Sequence, residues 1–483
     1  MRKCLLLASW LTALAFAAAA AASPGIGAGP FVVGATEDGP QYAADGGSSI
    51  FAQMHTYGLG AIRMSVFWDG NSWYTPPAGL QHAVDEATKS GIRPILSLAP
   101  AQGHSDAFSS PSGPANLASF AVQVAKAFPQ VQDIIVGNEP NLQLFNRPSW
   151  NGNVPVGAWN YEKALASTYD ALKAFDPNLD VIGVATSPRG NTPGATSNVA
   201  IPPVKFIKGI GDAYKASARD RPIADNVAFH PYPNPNSAND PPSKGYQWPN
   251  AGVPNLDRLQ QAWWDAFNGT AQPLFQEDGF RALAASGKDV KWVLDEAGWQ
   301  VPTTLPGYTG VENWKTVSEA TQAKYYADVT HTMACDSSRV AGLLFFHWQD
   351  EPNRATGFQS GFARLDGSIR PAAAAVHSAL QAGCSSRVVW AHTDGVEGAS
   401  ASFTRSQGFL FTFGAQEDVT YQASVSAGGK KLAAASGSLS AYWAGGVKLP
   451  RGLHAPAGAT ATVTLTSVMN PARSATFTHT LRG

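Results

Sequence analysis

The chain has 483 residues, with 34 lysines and arginines against 35 aspartates and glutamates and a formal net charge of −1 at pH 7. A balance this even, without basic blocks, argues against a nucleic-acid partner, and the length allows one large and one small domain with a sizeable core. Hydrophobic residues make up 44% of the chain but are broken up by 47 glycines and 34 prolines. After the N-terminus, no stretch approaches the roughly 18 uncharged apolar residues of a membrane span.

The first element is Arg2 and Lys3, then an apolar run from Cys4 to Phe16, then an alanine tract ending near Ala22 and Ser23. These are the three zones of a secretory signal peptide. Residues 1–23 are therefore expected to be removed and the protein to be secreted, to the periplasm or beyond the cell. Of three cysteines, Cys4 would leave with the signal. Cys335 and Cys384 would remain in an oxidising compartment, where one disulfide between them is the economical reading and two buried free thiols the alternative. They have no metal-ligand companions nearby, and neither a metal nor a cofactor is expected.

Beyond the signal, short β-rich runs alternate with helical patterns about eight times. The strand candidates are 31–35, 61–67, 93–98, 132–137, 180–186, 226–230, 290–295 and 340–347. Between and after them, helix periodicity recurs at 81–90, 114–127, 160–175, 256–267, 319–334 and 371–382. Near-continuous apolar strands alternating with helices imply parallel pairing with both faces covered. The order predicts a (β/α)8 TIM barrel over residues 24–384. A doubly wound open sheet ranks well below it, because no Gly-x-Gly-x-x-Gly turn follows the first strand.

After Cys384 the period changes to two. Phe409, Phe411 and Phe413 alternate, as do Val419, Tyr421, Ala423 and Val425, then Ala461, Val463 and Leu465, and finally Ala475, Phe477, His479 and Leu481. Residues 385–483 are expected to form a small C-terminal β-sandwich that packs on the barrel, with a carbohydrate-binding module as the alternative.

In a barrel of this kind the site lies at the carboxyl ends of the strands. Those ends carry Glu37 and Asp38, Arg63 and Trp68, Asn138 and Glu139, His230 and Tyr232, Glu296 and Trp299, and His347, Trp348, Asp350 and Glu351. Two of the runs, "IIVGNEP" and "WVLDEAGW", pass directly from apolar residues to Glu139 and Glu296. A carboxylate there is costly to bury unless paired or used. Strands 4 and 7 face each other across the mouth, and two opposed carboxylates suit glycosidic bond cleavage.

Asn138-Glu139-Pro140 ending strand 4 and Glu296 in "DEAGW" ending strand 7 resemble the signature of the clan A, or 4/7, retaining glycoside hydrolases. Within the clan the chain is similar to families 5 and 39. Arg63 in "AIRMSVFW", the His230-Pro231-Tyr232 triplet in "AFHPYP" and Trp348 in "FFHWQD" match the family 5 pattern. "GNEPNLQLF" is closer to family 39, whose members often join a barrel to a β-sandwich.

The resemblance implies that Glu139 is the general acid/base and Glu296 the nucleophile. It implies that Asn138 bonds the sugar 2-hydroxyl, that Arg63 and Tyr232 orient Glu296, that His230 lines the pocket and that Trp348 is a wall or platform under the sugar. Glu37, Trp68, His104 and Trp299 are further candidates for the cleft. The chain departs from the family patterns in three places. His104 lies several residues beyond strand 3, where family 5 has a histidine at the strand end. Asp295 precedes the nucleophile where Thr or Ser is common, and Gly137 stands where family 39 often has Trp. The partner expected is an oligosaccharide, polysaccharide or glycoside substrate, taken by a monomer. Transglycosylation through the same site and a non-catalytic carbohydrate-binding protein are the rival readings.

Overall fold

The computed structural model describes residues 24–234, 237–275, 289–384, 395–404, 406, 408–452 and 454–481. The expected signal peptide, residues 1–23, and the expected domain boundary at 385 lie outside the described residues.

Eight parallel strands close into a barrel in chain order. They are β1 (Val32–Thr36), β2 (Ala61–Trp68), β3 (Arg93–Pro100), β4 (Asp133–Val136), β5 (Asp180–Thr186), β6 (Asn226–Phe229), β7 (Trp292–Ala297) and β8 (Val340–Phe346). Each is followed by a helix: α1 (Ser48–Thr56), α2 (Ala78–Lys89), α3 (Gly113–Ala127), α4 (Val156–Phe175), α5 (Pro203–Ala216), α6 (Leu256–Phe267), α7 (Glu319–Ala334) and α8 (Pro371–Gln381). The expected TIM barrel is therefore present. Its strands are apolar on both faces because each face meets a core. Ile95, Ile135, Ile182, Val293 and Leu344 fill the interior, while Leu96, Ile134, Val136, Val181 and Leu294 pack outward against the helices. Ile26 plugs the amino-terminal end of the barrel, where its N–H donates to Asp133 Oδ1 at 2.6 Å and the Gly27 N–H donates to Asp180 Oδ2 at 3.0 Å.

Cys335, just past α7, and Cys384, just past α8, are disulfide-bonded with their Cα atoms 5.6 Å apart. The bond joins the last two helices of the outer ring where both return to the amino-terminal end.

The C-terminal region forms two antiparallel sheets. One holds β9 (Ser400–Ser402), β10 (Phe411–Gly414) and β13 (Ala444–Val447) in the order β13-β10-β9. The other holds β11 (Val419–Ala427), β12 (Lys430–Leu439), β14 (Thr460–Ser467) and β15 (Ser474–Thr480) in the order β12-β11-β14-β15. Phe411, Phe413, Val419, Val425, Val463 and Leu465 share one buried core, so the period-two pattern read from the sequence is an inside/outside alternation. Strand β12 lacked that signal in the sequence because it is an edge strand, with most of its side chains exposed or half-buried.

The sandwich sits against α5, α6 and the loop after β6. Arg258 pairs with Glu397 at 2.7 Å, Arg473 pairs with Asp265 at 2.9 Å and with Glu417 at 2.7 Å, and Trp248 N–H donates to Tyr442 Oη at 2.9 Å. The contact reaches the site indirectly. Arg258 also donates to the Tyr246 carbonyl at 2.9 Å, and Tyr246 Oη donates to the Tyr232 carbonyl at 3.0 Å.

Candidate active site

At the end of β4 the chain turns abruptly. Gly137 has φ +94° and Glu139 has φ +41°. The left-handed region costs a non-glycine residue of order 1–3 kcal/mol and persists only where the surroundings impose it. Here they do. Glu139 N–H donates to the Ala185 carbonyl at 2.9 Å, and the fully buried Asn141 side chain accepts from Ser187 N–H at 2.9 Å and donates to the Ile201 carbonyl at 3.0 Å. The second asparagine of "NEPN" is thus the clamp that holds the first three residues at the mouth.

Across the mouth, β7 delivers Asp295 and Glu296 side by side, both buried. Arg63, from β2 and 2% exposed, is the hub. Its Nη1 donates to Glu296 Oε1 at 2.6 Å, its Nη2 donates to Asn138 Oδ1 at 2.6 Å and to Ser97 Oγ at 2.9 Å, and its Nε faces Asp295 Oδ2 at 3.3 Å. Tyr232 Oη donates to the other Glu296 oxygen at 3.0 Å. Burial first, then the charges of Glu296 and Glu139, raise the Tyr232 pKa well above its ordinary value, so its phenol keeps the proton it donates.

His230 is fully buried at the end of β6 and touches three carboxylates. Its Nδ1 lies 3.1 Å from Glu139 and 3.4 Å from Glu296, and its Nε2 lies 3.3 Å from Asp295. Burial opposes a charge on this ring, but Glu296 and Asp295 outweigh it and push the pKa up to about 10. That shift favours the protonated ring at neutral pH. One oxygen of Glu139, one of Glu296 and a ring nitrogen of His230 all lie within 4.8 Å of one another. Among the described residues this is the one cluster spaced to hold a metal ion. Two carboxylates facing one imidazole are also an arrangement suited to proton transfer and charge stabilisation.

The cleft above these groups has a volume of about 650 Å³. The structure brings Glu37, Arg63, Asn138, Glu139, Tyr232 and Glu296 to its wall, with His230 directly beneath the two glutamates. Glu37 accepts from Gly39 N–H at 2.8 Å and Gln349 N–H at 3.0 Å. Burial raises its pKa, against the lowering effect of nearby His347.

Four candidates lie elsewhere. Trp348 is 1% exposed and packs on Phe362, because residues beyond β8 turn away to pair with Ala363. The ring that faces the cleft at that strand end is Phe346, two residues earlier. Trp68 is buried against Phe108 with its Nε1 donating to the Asn71 carbonyl at 2.7 Å, and Trp299 is buried against Tyr325 and Tyr326 with its Nε1 on the Asp240 carbonyl at 2.7 Å. His104 is exposed on the turn after β3 and does not line the cleft. The wall also holds Trp314, and with it Phe145, Arg189 and Phe358, three residues that sequence reasoning missed. They come from long loops whose local pattern carries no information about which way a side chain points.

No protein-family model matches the chain, and comparison with curated proteins finds no match. Solved structures do match. A family 39 glycoside hydrolase from the gut symbiont Bacteroides cellulosilyticus WH2 aligns with a TM-score of 0.50 at 16% identity, over 84% of this chain and 79% of that chain. A family 5 subfamily 18 protein from Bifidobacterium longum subsp. infantis aligns with a TM-score of 0.47 at 12% identity, over 76% and 81% of the two chains. One of the same subfamily from Streptomyces cattleya aligns with a TM-score of 0.46 at 15% identity, over 73% and 80%. At such identities the likeness concerns the fold.

Proposed function

We propose that the protein is a secreted retaining glycoside hydrolase of clan A that cleaves O-glycosidic bonds by double displacement, with Glu139 as acid/base and Glu296 as nucleophile. The observation that carries this reading is the pair itself. One oxygen of Glu139 lies within 4.8 Å of one oxygen of Glu296 across the barrel mouth. Retention calls for carboxyl groups about 5–5.5 Å apart, whereas inversion needs about 6.5–9.5 Å to admit a water between sugar and base.

The environments of the two groups support their roles. Both Glu296 oxygens are held, one by Arg63 and one by Tyr232, which aims a carboxylate at a fixed point, as nucleophilic attack on the anomeric carbon requires. In the first step a Glu296 oxygen forms a bond to that carbon, the bond to the leaving oxygen breaks, and Glu139 gives the leaving oxygen its proton. In the second step Glu139 takes a proton from water, whose oxygen attacks the same carbon and releases Glu296. Glu139 is the more accessible of the two, as a group that must meet both leaving group and water should be. Asn138, fixed by Arg63, presents its amide beside the pair, where a bond to the sugar 2-hydroxyl would strengthen as positive charge develops. Phe346 and Phe358 supply the apolar wall.

Export rests on the signal-like residues 1–23 and accords with the Cys335–Cys384 disulfide, a bond expected in oxidising compartments. Detection of the processed chain outside the cytoplasm tests it. The chemistry is tested with Glu296→Ala on a panel of aryl glycosides with activated leaving groups. Turnover should be lost and partly return on adding azide, giving a glycosyl azide of inverted configuration. Near-full activity without azide would remove Glu296 from its role.

A further inference from the structure

A second hollow of about 550 Å³ opens beside the catalytic cleft, over the carboxyl end of β2 and the loop that follows it. The two share Tyr42, Ser65 and Phe67 as common walls, so they are parts of one groove. Three large rings stand open to solvent along it: Tyr42 is 78% exposed, Phe67 55% and Trp73 62%. Phe67 is the exposed member of a strand whose other residues are buried or half-buried. Single exposed aromatics need no explanation, but a file of them leading away from a cleft marks a binding surface.

The lining between the rings is polar. Asp69 and Gln41 border the same hollow. Asp69 is tied to Asn71 by hydrogen bonds of 3.1 and 2.8 Å, and Gln41 donates to Asp38 Oδ1 at 2.9 Å and to the Ser65 carbonyl at 3.2 Å. These ties fix the acceptor atoms in place without using all their lone pairs. The floor is packed, with Tyr74 edge-on against Phe120 and the ring centroids 5.1 Å apart.

We infer that this groove is a run of sugar subsites, so that the substrate is an oligo- or polysaccharide chain lying from the Glu139–Glu296 pair across Phe67 and Tyr42 to Trp73. The occupant follows from the chemistry. A pyranose has one apolar C–H face and a rim of hydroxyls, which suits exposed rings alternating with fixed polar groups. Continuity with the cleft makes the occupant an extension of whatever sits over the glutamates. The inference rests on the glycosidase reading and deepens it. Binding energy gained at Trp73, far from the reacting bond, would be available to position the bond being cut.

The test uses cello-, manno- and xylo-oligosaccharides of two to six units, aryl monoglycosides as short substrates, and the variants Trp73→Ala and Trp73→Phe. Trp73 is exposed and outside the catalytic cleft, so its removal should leave the fold and the rate on aryl monoglycosides unchanged. The wild type should show kcat/KM rising with chain length. Trp73→Ala should lose about tenfold on the longest chains only, and Trp73→Phe should restore most of it. Rates independent of chain length, or an equal loss on short and long substrates, would overturn the inference. Calorimetric binding of the same oligosaccharides separates the two proposals. Binding weakened in Trp73→Ala without any cleavage would keep the groove and refute the hydrolase, while cleavage with binding unaffected by Trp73→Ala would refute the groove.

Discussion

Asp295 is the sharpest point at which to perturb the site. It is fully buried, and its two oxygens face Arg63 Nε and His230 Nε2, each at 3.3 Å. Substitution by Asn keeps the volume and one acceptor but removes the charge that the two cations share. Removing one partner of a buried ion pair costs about 3–5 kcal/mol. Because His230 and Arg63 keep Glu296, and His230 also keeps Glu139, we expect about 3 kcal/mol, the lower end. The pH dependence has a definite sign. His230 is raised from an ordinary value of about 6.5 to about 10. Its charge therefore stabilises the fold fully below the unfolded value and ceases to do so as pH rises through the folded one. The stability gap between wild type and Asp295→Asn should be near its full size at pH 6 and should narrow toward pH 10 without vanishing, because Arg63 keeps its charge beside Asp295 throughout. Urea denaturation of both proteins between pH 6 and pH 10 reads this directly. Activity should fall as well, by about 100-fold, since a small misplacement of the catalytic pair is enough for that. Superimposable stability profiles for the two proteins would refute the assignment of Asp295 as the anchor of Arg63 and His230.

Tyr232→Phe removes one hydrogen bond to Glu296 while keeping the ring packed near Phe346 and Phe358. A bond to a charged group is worth about 1.5–3 kcal/mol, so kcat/KM should fall roughly 10- to 100-fold with little change in melting temperature. Asn141→Ala should do the reverse first. It strips the clamp that holds the "NEPN" turn, and denaturation should show a loss of about 3 kcal/mol from unsatisfied buried backbone groups. Cys335→Ser opens a link across 49 residues of sequence. In the chain-entropy model this costs up to about 4 kcal/mol, read as a lower melting temperature with kcat unchanged in the folded fraction.

The barrel was legible because its strands are continuous apolar runs with a helix after each, a pattern that only a parallel sheet covered on both faces requires. Glu139 and Glu296 were legible for a related reason, since a carboxylate closing such a run stands out against everything before it. Arg63 and His230 share that visibility. Trp348 marks a limit to that legibility: "FFHW" fixes that aromatics gather at the end of β8, but the chain leaves the strand after Phe346. The side-chain alternation no longer applies beyond it, and Phe346 rather than Trp348 meets the cleft. Trp68 and Trp299 fail similarly, each turned inward so that its indole N–H can reach a backbone carbonyl. In the sequence Asp295 stands out only as a departure from the family pattern. Its function depends on Arg63, which is 232 positions away and reaches it only through barrel closure. Of the groove walls, Tyr42 and Trp73 lie between strands, where tertiary contacts set the course of the chain, while Phe67 sits in β2, whose apolar run does not reveal that this one ring faces outward.

The central claim is that Glu296 attacks the sugar itself while Glu139 manages the proton. Proton NMR of the first-formed product, recorded before mutarotation on whichever aryl glycoside the enzyme turns over fastest, tests it most directly. Retention of the anomeric configuration is the result predicted by two carboxylates whose facing oxygens lie within 4.8 Å. Inversion would mean that a water stands between Glu296 and the sugar, and the roles given to both glutamates would be wrong.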